Sequence, residues 1–208
     1  LEKLGVYAFW VADFEEGISL RKSGISIPII IANPGSKSYN SILKYNLEPV
    51  IYNFRLLKMY GEHKNNVNIH VKFNSGMNRY GFELEDINKI DSMLRKYSHL
   101  NVETICTHLS CANNKLQDRF THSQLEKFEK INHYFYKKTQ INVKKHILNT
   151  AGVLRFTKYE NDMVRVGIGL YGISEDKNLH PIAKLKSTIV QVRNIKKNEK
   201  IGYNGEFI

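Results

Sequence analysis

The amino-acid sequence predicts an α/β protein organised as a (β/α)8 barrel of the TIM type, followed by the start of a β domain. Short apolar runs, often β-branched, alternate with amphipathic stretches from residue 7 to residue 166. The starts of successive runs are mostly about 20 residues or more apart, which leaves room for parallel crossovers. Seven strand–helix units precede residue 174, and eight would close a barrel. An open doubly wound sheet is the alternative, but no Gly-x-Gly-x-x-Gly motif follows the first run.

The elements follow from the local pattern. Continuous apolar runs are typical of strands that are buried on both faces. Such runs occupy residues 7–11, 27–31, 49–52, 69–73, 102–106, 146–148 and 163–166. Helical spacing of apolar residues predicts helices at residues 15–22, 38–45, 54–60, 84–97 and 116–136. Asp13 is suited to N-cap the first helix, and Gly24 is suited to end it.

The sequence changes character after about residue 178. Residues 185–192 alternate apolar and polar side chains with a period of two, which predicts a β-strand. A turn is predicted at residues 196–199, and another segment begins at residue 201. We therefore expect a barrel at residues 1–178 and the first part of a β domain at residues 179–208, which is too short to hold a core of its own.

The composition excludes several classes of protein. Hydrophobic residues make up 42% of the 208, which is enough for a buried core. Lys and Arg exceed Asp and Glu by 31 to 20, giving +11, but the lysines are scattered in small groups, so we expect no nucleic-acid partner. No stretch reaches the roughly 20 apolar residues of a membrane span, so no membrane partner is expected. Cys106 and Cys111 form neither a disulfide framework nor a metal motif, and we expect a cytoplasmic protein without a signal peptide.

Polar residues follow four of the predicted strands, at the carboxyl rim where the functional residues of a barrel lie. They are Lys72 with residues 74–79, Thr107 with His108, residues 149–152, and Arg165 with residues 167–169. A cation, an imidazole, a hydroxyl and a Gly-rich turn on one rim are suited to an anionic cofactor that carries a phosphate.

The same residues resemble the sequence pattern of the alanine racemase family. Five motifs occur in the order and rough spacing of that family: Lys72-x-Asn-Ser-Gly-Met-x-Arg79, Thr107-His108, Asn149-Thr150-Ala151-Gly152, Arg165-Val-Gly-Ile-Gly-Leu-Tyr-Gly172 and Ile201-Gly202-Tyr203. The resemblance implies a pyridoxal-phosphate enzyme of fold type III, a homodimer that interconverts L-alanine and D-alanine for peptidoglycan by a two-base mechanism. Residues 33–57 also resemble the branch in which the racemase is fused behind a muramoyl-peptide ligase.

The resemblance implies a site for pyridoxal 5'-phosphate. Thr150 is similar to the hydroxyl residue that binds the phosphate, together with the backbone amides of Gly167 and Ile168. Arg165 is similar to the arginine that faces the pyridine nitrogen. Because a guanidinium does not release its proton, that nitrogen should stay unprotonated, which weakens the cofactor as an electron sink and favours rapid reprotonation.

The resemblance also implies catalytic residues. Tyr203 is similar to the base that removes the α-proton of L-alanine, acting in the site of the partner subunit. His108 and Arg165 would form its supporting network, where positive charge favours the phenolate of a residue whose pKa is ordinarily near 10. Arg79 is similar to the residue that hydrogen-bonds the phenolic oxygen of the cofactor and positions substrate. Lys72 is similar to a lysine that is carbamylated in some members and braces that arginine.

The sequence departs from the family pattern at two motifs. Asn74-Ser75 stands where members usually have Asp-Thr, and Thr150 stands where they usually have Ser. Both changes of hydroxyl residue keep the hydroxyl. Asn74 removes a negative charge near the Lys72 and Arg79 motif, and it gives modest support to a non-catalytic barrel.

The resemblance also indicates what the sequence lacks. The predicted strand at residues 7–11 matches the second strand of the family barrel, so the first strand and its Schiff-base lysine, the base for D-alanine, would lie upstream of Leu1. We therefore expect an interior segment that does not racemise alanine by itself. Three alternatives remain open: another amino-acid racemase or a decarboxylase, a pyridoxal-phosphate carrier that keeps only the barrel, and a non-catalytic barrel that binds the cofactor.

Overall fold

The computed structural model describes residues 1–173 and 176–207. Its main feature is a sheet of parallel strands that pair in chain order. The strands are β1 (Phe9–Val11), β2 (Ile29–Ile31), β3 (Glu48–Ile51), β4 (Val67–Lys72), β5 (Leu100–Cys106) and β6 (Lys144–His146). A doubly wound sheet would reverse its strand order at a switch point. The unbroken order therefore confirms the barrel architecture that the sequence predicts.

The helices alternate with these strands, as predicted. They are α1 (Phe14–Lys22), α2 (Tyr39–Lys44), α3 (Phe54–Gly61), α4 (Ile87–Lys96), α5 (Asp118–Thr139) and α6 (Thr150–Arg155). Single 3-10 turns at Leu84–Asp86 and Lys115–Gln117 lead into α4 and α5. The Asp13 carboxylate accepts the backbone amide of Glu16 at 3.2 Å, so the predicted N-cap of α1 is confirmed. No helix in the described ranges has the length and apolar character needed to cross a membrane.

The sheet is strongly curled. In a flat sheet, five gaps of about 4.8 Å would separate β1 from β6 by about 24 Å. Instead, the centre of the Trp10 ring on β1 lies 5.4 Å from that of the His146 ring on β6. Lys144 Nζ also donates to Tyr7 Oη at 2.9 Å. The first and last strands therefore approach each other across an interior, as the strands of a barrel do.

The two faces of the strands carry different residues. The outer face packs against the helices and forms the apolar core, with Phe128, Ile131 and Phe135 of α5 fully buried. Its strand members include Ile29, Ile31, Ile51, Ile69, Val71 and Ile105. Alternate positions face the interior, and several of these are polar: His70, Lys72, Thr104 and His146. Because side chains alternate along a strand, the same short runs build an apolar outer layer and a polar interior.

The predicted strand at residues 163–166 is wrong. The Met163 amide donates to the Lys145 carbonyl at 3.3 Å, and the Arg165 amide donates to the Leu148 carbonyl at 3.0 Å. In a regular parallel ladder, amides two residues apart would reach carbonyls two residues apart. Here the carbonyls are three residues apart, so the segment runs beside β6 without forming a ladder.

The predicted strand at residues 185–192 is also wrong. Residues 185–192 have no regular structure in this chain, and their apolar side chains are exposed, with Leu185, Ile189 and Val190 at least 80% accessible. An alternating strand is stable only when its apolar face packs on a second layer. That layer is absent around this segment in the described ranges. A short antiparallel pair follows instead, β7 (Lys200–Ile201) with β8 (Glu206–Phe207).

Candidate functional site

A cavity of about 1000 Å³ opens at the carboxyl ends of the strands. Seven of the eight residues that the sequence singles out line it: Lys72, Arg79, His108, Thr150, Arg165, Gly167 and Ile168. The eighth, Tyr203, does not line the cavity; it lies in a 3-10 turn and is 98% exposed. The cavity also has a wall residue that sequence reasoning missed, Trp10 of β1. The described ranges contain no cluster of His, Cys, Asp or Glu suited to a metal ion.

Arg165 is held by acceptors from two neighbouring strand ends. Its Nη2 donates to the carbonyls of Thr107 at 2.7 Å and Ile147 at 3.0 Å. Its guanidinium also lies 5.4 Å from the centre of the Trp10 ring, within the range of a cation–π contact. Burial lowers the pKa of Arg165, but a guanidinium remains protonated in proteins. The side chain therefore presents a fixed positive charge at the cavity wall.

Two histidines accept hydrogen bonds from this guanidinium. Arg165 Nη1 contacts His146 Nδ1, and Arg165 Nη2 lies 3.3 Å from His108 Nδ1. Because arginine can only donate, both Nδ1 atoms must be unprotonated. Burial and the nearby positive charge of Arg165 lower the pKa of His108 to about 4 and that of His146 well below its ordinary value. Both rings are therefore neutral near pH 7, and the positive charge of the site comes from arginine and lysine.

His146 contacts Arg165 beside the cavity, but the sequence treated it as an ordinary strand residue. It is fully buried at the end of β6, between Arg165 and the ring of Trp10. The available signal was its polarity at the head of the apolar run 146–148. That signal is weak alone, because a buried histidine commonly serves packing once its ring nitrogens are hydrogen-bonded.

A polar corner suited to an anion, called the anion-binding corner below, forms where the chain passes from β6 into α6 and then into the Gly-rich turn. Thr150 Oγ1 accepts the backbone amides of Gly167 at 3.1 Å and Gly169 at 3.3 Å. A Cβ atom at Gly167 would meet nothing within 4 Å, so there is open space beside these amides. A Cβ atom at Gly169 would lie 2.7 Å from Thr150 Cγ2. The hydroxyl and two amides thus meet at one open corner, and contact of the Gly167 and Ile168 amides with a phosphate stays a prediction.

Lys72 ends β4 and is nearly buried in the cavity wall. Its Nζ lies 5.8 Å from the centre of the Tyr80 ring and makes no hydrogen bond or ion pair within the described part of the chain. Burial lowers the pKa of this ammonium, and the positive charges of Arg165 and Arg79 lower it further. Lys72 therefore has a larger neutral fraction than an exposed lysine, as a nucleophilic amine requires.

Asn74 organises the loop that follows β4. Its Nδ2 donates to Glu83 Oε1 at 2.6 Å and to Asn78 Oδ1 at 2.9 Å. Its Oδ1 accepts the backbone amides of Gly76 and Asn78, both at 3.0 Å. An aspartate at this position could not donate to Glu83 and would repel it. The asparagine is therefore matched to Glu83, and the loop that carries Arg79 is well ordered by these bonds.

Replacing Asn74 with aspartate should destabilise this loop. We expect the free energy of unfolding at pH 7 to fall by about 1 kcal/mol, because a part-buried hydrogen bond is replaced by a contact between two carboxylates. The loss should shrink toward pH 4, where one carboxyl becomes protonated and can donate. Urea unfolding at the two pH values measures it. Asn66→Asp, at an exposed position, is the matched control. An equal effect of both variants at both pH values would contradict the assignment.

Comparisons with known proteins agree with this geometry. The family model described as "Alanine racemase, N-terminal domain" matches residues 1–175. The alanine racemase of Nitrosomonas eutropha is 30% identical over 211 residues, which cover 96% of this chain and 57% of that protein. The alanine racemase of Ligilactobacillus salivarius is 32% identical over 221 residues, covering 99% and 58%. The chain thus spans a little over half the length of these curated relatives.

Solved structures give the same family. The alanine racemase of Clostridium difficile 630 has a TM-score of 0.79 at 26% identity, covering 86% of this chain and 51% of that one. A structure of alanine racemase from Bartonella henselae with covalently bound pyridoxal phosphate has a TM-score of 0.81 at 19% identity, covering 100% and 59%. At that identity the second likeness concerns the fold alone.

Proposed function

Because the chain belongs to the alanine racemase family, we propose that it is the central part of an enzyme that interconverts L-alanine and D-alanine with pyridoxal 5'-phosphate. Residues 1–178 would form most of the cofactor-binding barrel, and residues 179–208 would begin the β domain. The observation that carries the proposal is the single cavity in which a fixed guanidinium and an anion-binding corner occur together. D-alanine made in the cytoplasm would serve peptidoglycan synthesis, and the two free cysteines suit that reducing compartment.

The residues present fit the cofactor at both ends. The phosphate would lie beside Thr150, where Gly167 leaves open space, and would be held by the Thr150 hydroxyl and the backbone amides of Gly167 and Ile168. The pyridine nitrogen would face Arg165. Because a guanidinium does not give up a proton, the ring nitrogen would stay unprotonated. Arg79, exposed on the rim of the cavity, would hydrogen-bond the phenolic oxygen and hold the substrate.

The chemistry then divides between the cofactor and the chain. Pyridoxal phosphate, when bound, supplies the conjugated system that makes the α-proton of alanine acidic. Arg165 would keep the ring nitrogen unprotonated, which would make the cofactor a weaker electron sink. His108 is a neutral imidazole with its Nδ1 occupied by Arg165, so its Nε2–H is the group it offers to the cavity.

Two bases would move the α-proton. Tyr203 would act on L-alanine in the partner subunit of a homodimer, which is compatible with its exposure in this chain. The base for D-alanine would be a lysine outside residues 1–208. The lysines that line the cavity are Lys72 and Lys115. In the family pattern the base for D-alanine ends the first barrel strand, and neither of these lysines lies at that position. Turnover of alanine by the 208-residue chain alone would overturn this division.

Lys72 would carry a carbamate. A neutral amine is the form that reacts with carbon dioxide, and the lowered pKa of this buried lysine raises its neutral fraction. Carbamylation would change the side-chain charge from positive to negative. The product would then pair with a nearby cation, and Arg79 is the one that the family pattern assigns to it.

A racemisation assay of the intact enzyme tests the proposed function. L-alanine supplied to the enzyme with pyridoxal phosphate should yield D-alanine, and the reverse reaction should occur at a rate that satisfies the equilibrium. Other amino acids and carbon dioxide release should be measured in parallel. Release of carbon dioxide, or racemisation restricted to a different amino acid, would overturn the alanine assignment. No turnover with any amino acid would identify a non-catalytic barrel.

A further inference from the structure

A row of hydrogen bonds crosses the barrel interior from Glu48 to Arg165. Glu48 Oε2 contacts His70 Nε2 at 2.9 Å, and His70 Nδ1 contacts Thr104 Oγ1 at 2.8 Å. Thr104 Oγ1 contacts His146 Nε2 at 3.2 Å, and His146 Nδ1 contacts Arg165. The row uses one residue from each of β3, β4, β5 and β6, and its three central side chains are fully buried.

A register shift makes this row possible. Val102 pairs with Ile69, but Thr104, not Glu103, pairs with His70, because the ladder between β4 and β5 skips a residue there. Without the shift, Glu103 would stand opposite His70. The irregularity therefore brings a hydroxyl, instead of a carboxylate, between the two histidines.

The hydrogen bonds of this row can run in only one direction, from Arg165 to Glu48. Arg165 can only donate, so His146 Nδ1 accepts, and the neutral ring must donate from Nε2 to Thr104. Thr104 has one proton to give, and His70 Nδ1 is the next acceptor. His70 then donates from Nε2 to Glu48. Burial raises the pKa of Glu48, but hydrogen bonds from His70 and Asn68 outweigh this and lower it, so the carboxylate is an acceptor.

The alternative direction leaves a buried group unpaired. If His70 were doubly protonated, its Nδ1–H would donate to Thr104 Oγ1, which already accepts from His146. The Thr104 proton would then have no acceptor in this row at a fully buried position, which costs about 1–3 kcal/mol. With the direction running from Arg165 to Glu48, every donor and acceptor of the row is used once.

We propose that Thr104 is a positioning residue whose hydroxyl joins the two Nε2–H histidines, accepting from His146 and donating to His70, and so links the Arg165 guanidinium to the Glu48 carboxylate. Arg165 then faces the cavity in one orientation, because His146 offers it an acceptor and never a competing proton. The effect of this link on racemisation rests on the proposed function, whereas the direction of the row does not.

Histidine tautomers measured by NMR test the direction. In the intact enzyme with ¹⁵N-labelled histidine, His70 and His146 should each show one protonated Nε2 and one unprotonated Nδ1 near pH 7. His70→Gln and His146→Gln assign the signals. An imidazolium at His70, or an Nδ1–H tautomer at either ring, would overturn the proposal. The tautomers are read from the unmodified protein, and the two variants serve only to assign its signals.

Substitution of Thr104 tests the positioning role. Thr104→Val keeps the shape and removes the hydroxyl, so His146 Nε2–H loses its acceptor, His70 Nδ1 loses its donor, and the ¹⁵N signals of these two nitrogens should shift. The kcat for alanine should fall by about 10-fold to 100-fold with little change in KM, because Arg165 is misplaced. Thr104→Ser keeps a hydroxyl, so it should restore both the ring signals and kcat. Thr121→Val is the matched control, since Thr121 is equally buried but its hydroxyl has no partner within the described residues.

The outcomes separate this proposal from the proposed function. Unchanged signals of His146 Nε2 and His70 Nδ1 in Thr104→Val, or a loss of kcat equal to that in Thr121→Val, would overturn the positioning role. Signals that respond as expected in a protein that does not racemise alanine would uphold the row and overturn the proposed function. If Thr104→Val does not fold, the spectra of the unmodified protein and of Thr104→Ser still decide the direction of the hydrogen bonds in the row.

Discussion

Replacing Arg165 with leucine should lower the free energy of unfolding of the intact enzyme by about 2–4 kcal/mol and weaken cofactor binding by about tenfold or more. The guanidinium supplies donors to two imidazole nitrogens and to the carbonyls of Thr107 and Ile147. Leucine would leave these partly buried acceptors without a donor. Urea unfolding and a fluorescence titration with pyridoxal phosphate measure the two effects.

Two further variants make this expectation specific. Arg193→Leu removes the same charge from an exposed position, so it should change both measurements little. Arg165→Lys keeps the charge, but a single ammonium cannot reach acceptors that a planar fork reaches together, so we expect an intermediate loss. If Arg165→Leu behaved like Arg193→Leu, the guanidinium would contribute nothing to the fold or the site.

The alternation of strands and helices could be predicted because apolar runs and amphipathic stretches follow each other along the chain. Asp13 and Asn53 cap the helices after β1 and β3, and the runs between the helices are long enough only for single strands. The segment at residues 163–166 could not be read in this way. Its β-branched residues favour a strand, but pairing depends on the carbonyls of Lys145 and Leu148, whose spacing does not suit a ladder.

The rim of the site was predictable, whereas its interior was not. Lys72, His108 and Arg165 lie at the ends of predicted strands, where a barrel gathers functional residues. His70 and Thr104 lie inside apolar runs that the sequence treats as buried on both faces. The period of two that places His70 on the same face as Lys72 was a usable signal. The pairing of His70 with Thr104 could not be predicted, because a shift in register between β4 and β5 decides it.

Replacing Tyr203 with phenylalanine should reduce kcat for L-alanine by about 100-fold to 10,000-fold, the usual contribution of a general base. A tyrosine needs a positive surrounding to act near neutrality, and the cavity supplies one through Arg165 and Arg79. Tyr203 is 98% exposed in this chain, so loss of its hydroxyl should leave stability and cofactor affinity unchanged. Tyr136→Phe, at an exposed position on α5, is the control. An unchanged rate for Tyr203→Phe would remove it from the role of base.

Mixed dimers should then show which site Tyr203 serves. Neither Tyr203→Phe nor Arg165→Leu homodimers should be active. In a mixed dimer, the subunit with intact Arg165 would receive the intact Tyr203 of its partner, so each mixed dimer should hold about one working site. If Tyr203 acted in its own subunit, each subunit would lack one essential group and mixing would restore nothing. Recovery of racemisation on mixing two inactive variants would therefore require that the base cross the dimer interface, and no recovery would contradict it.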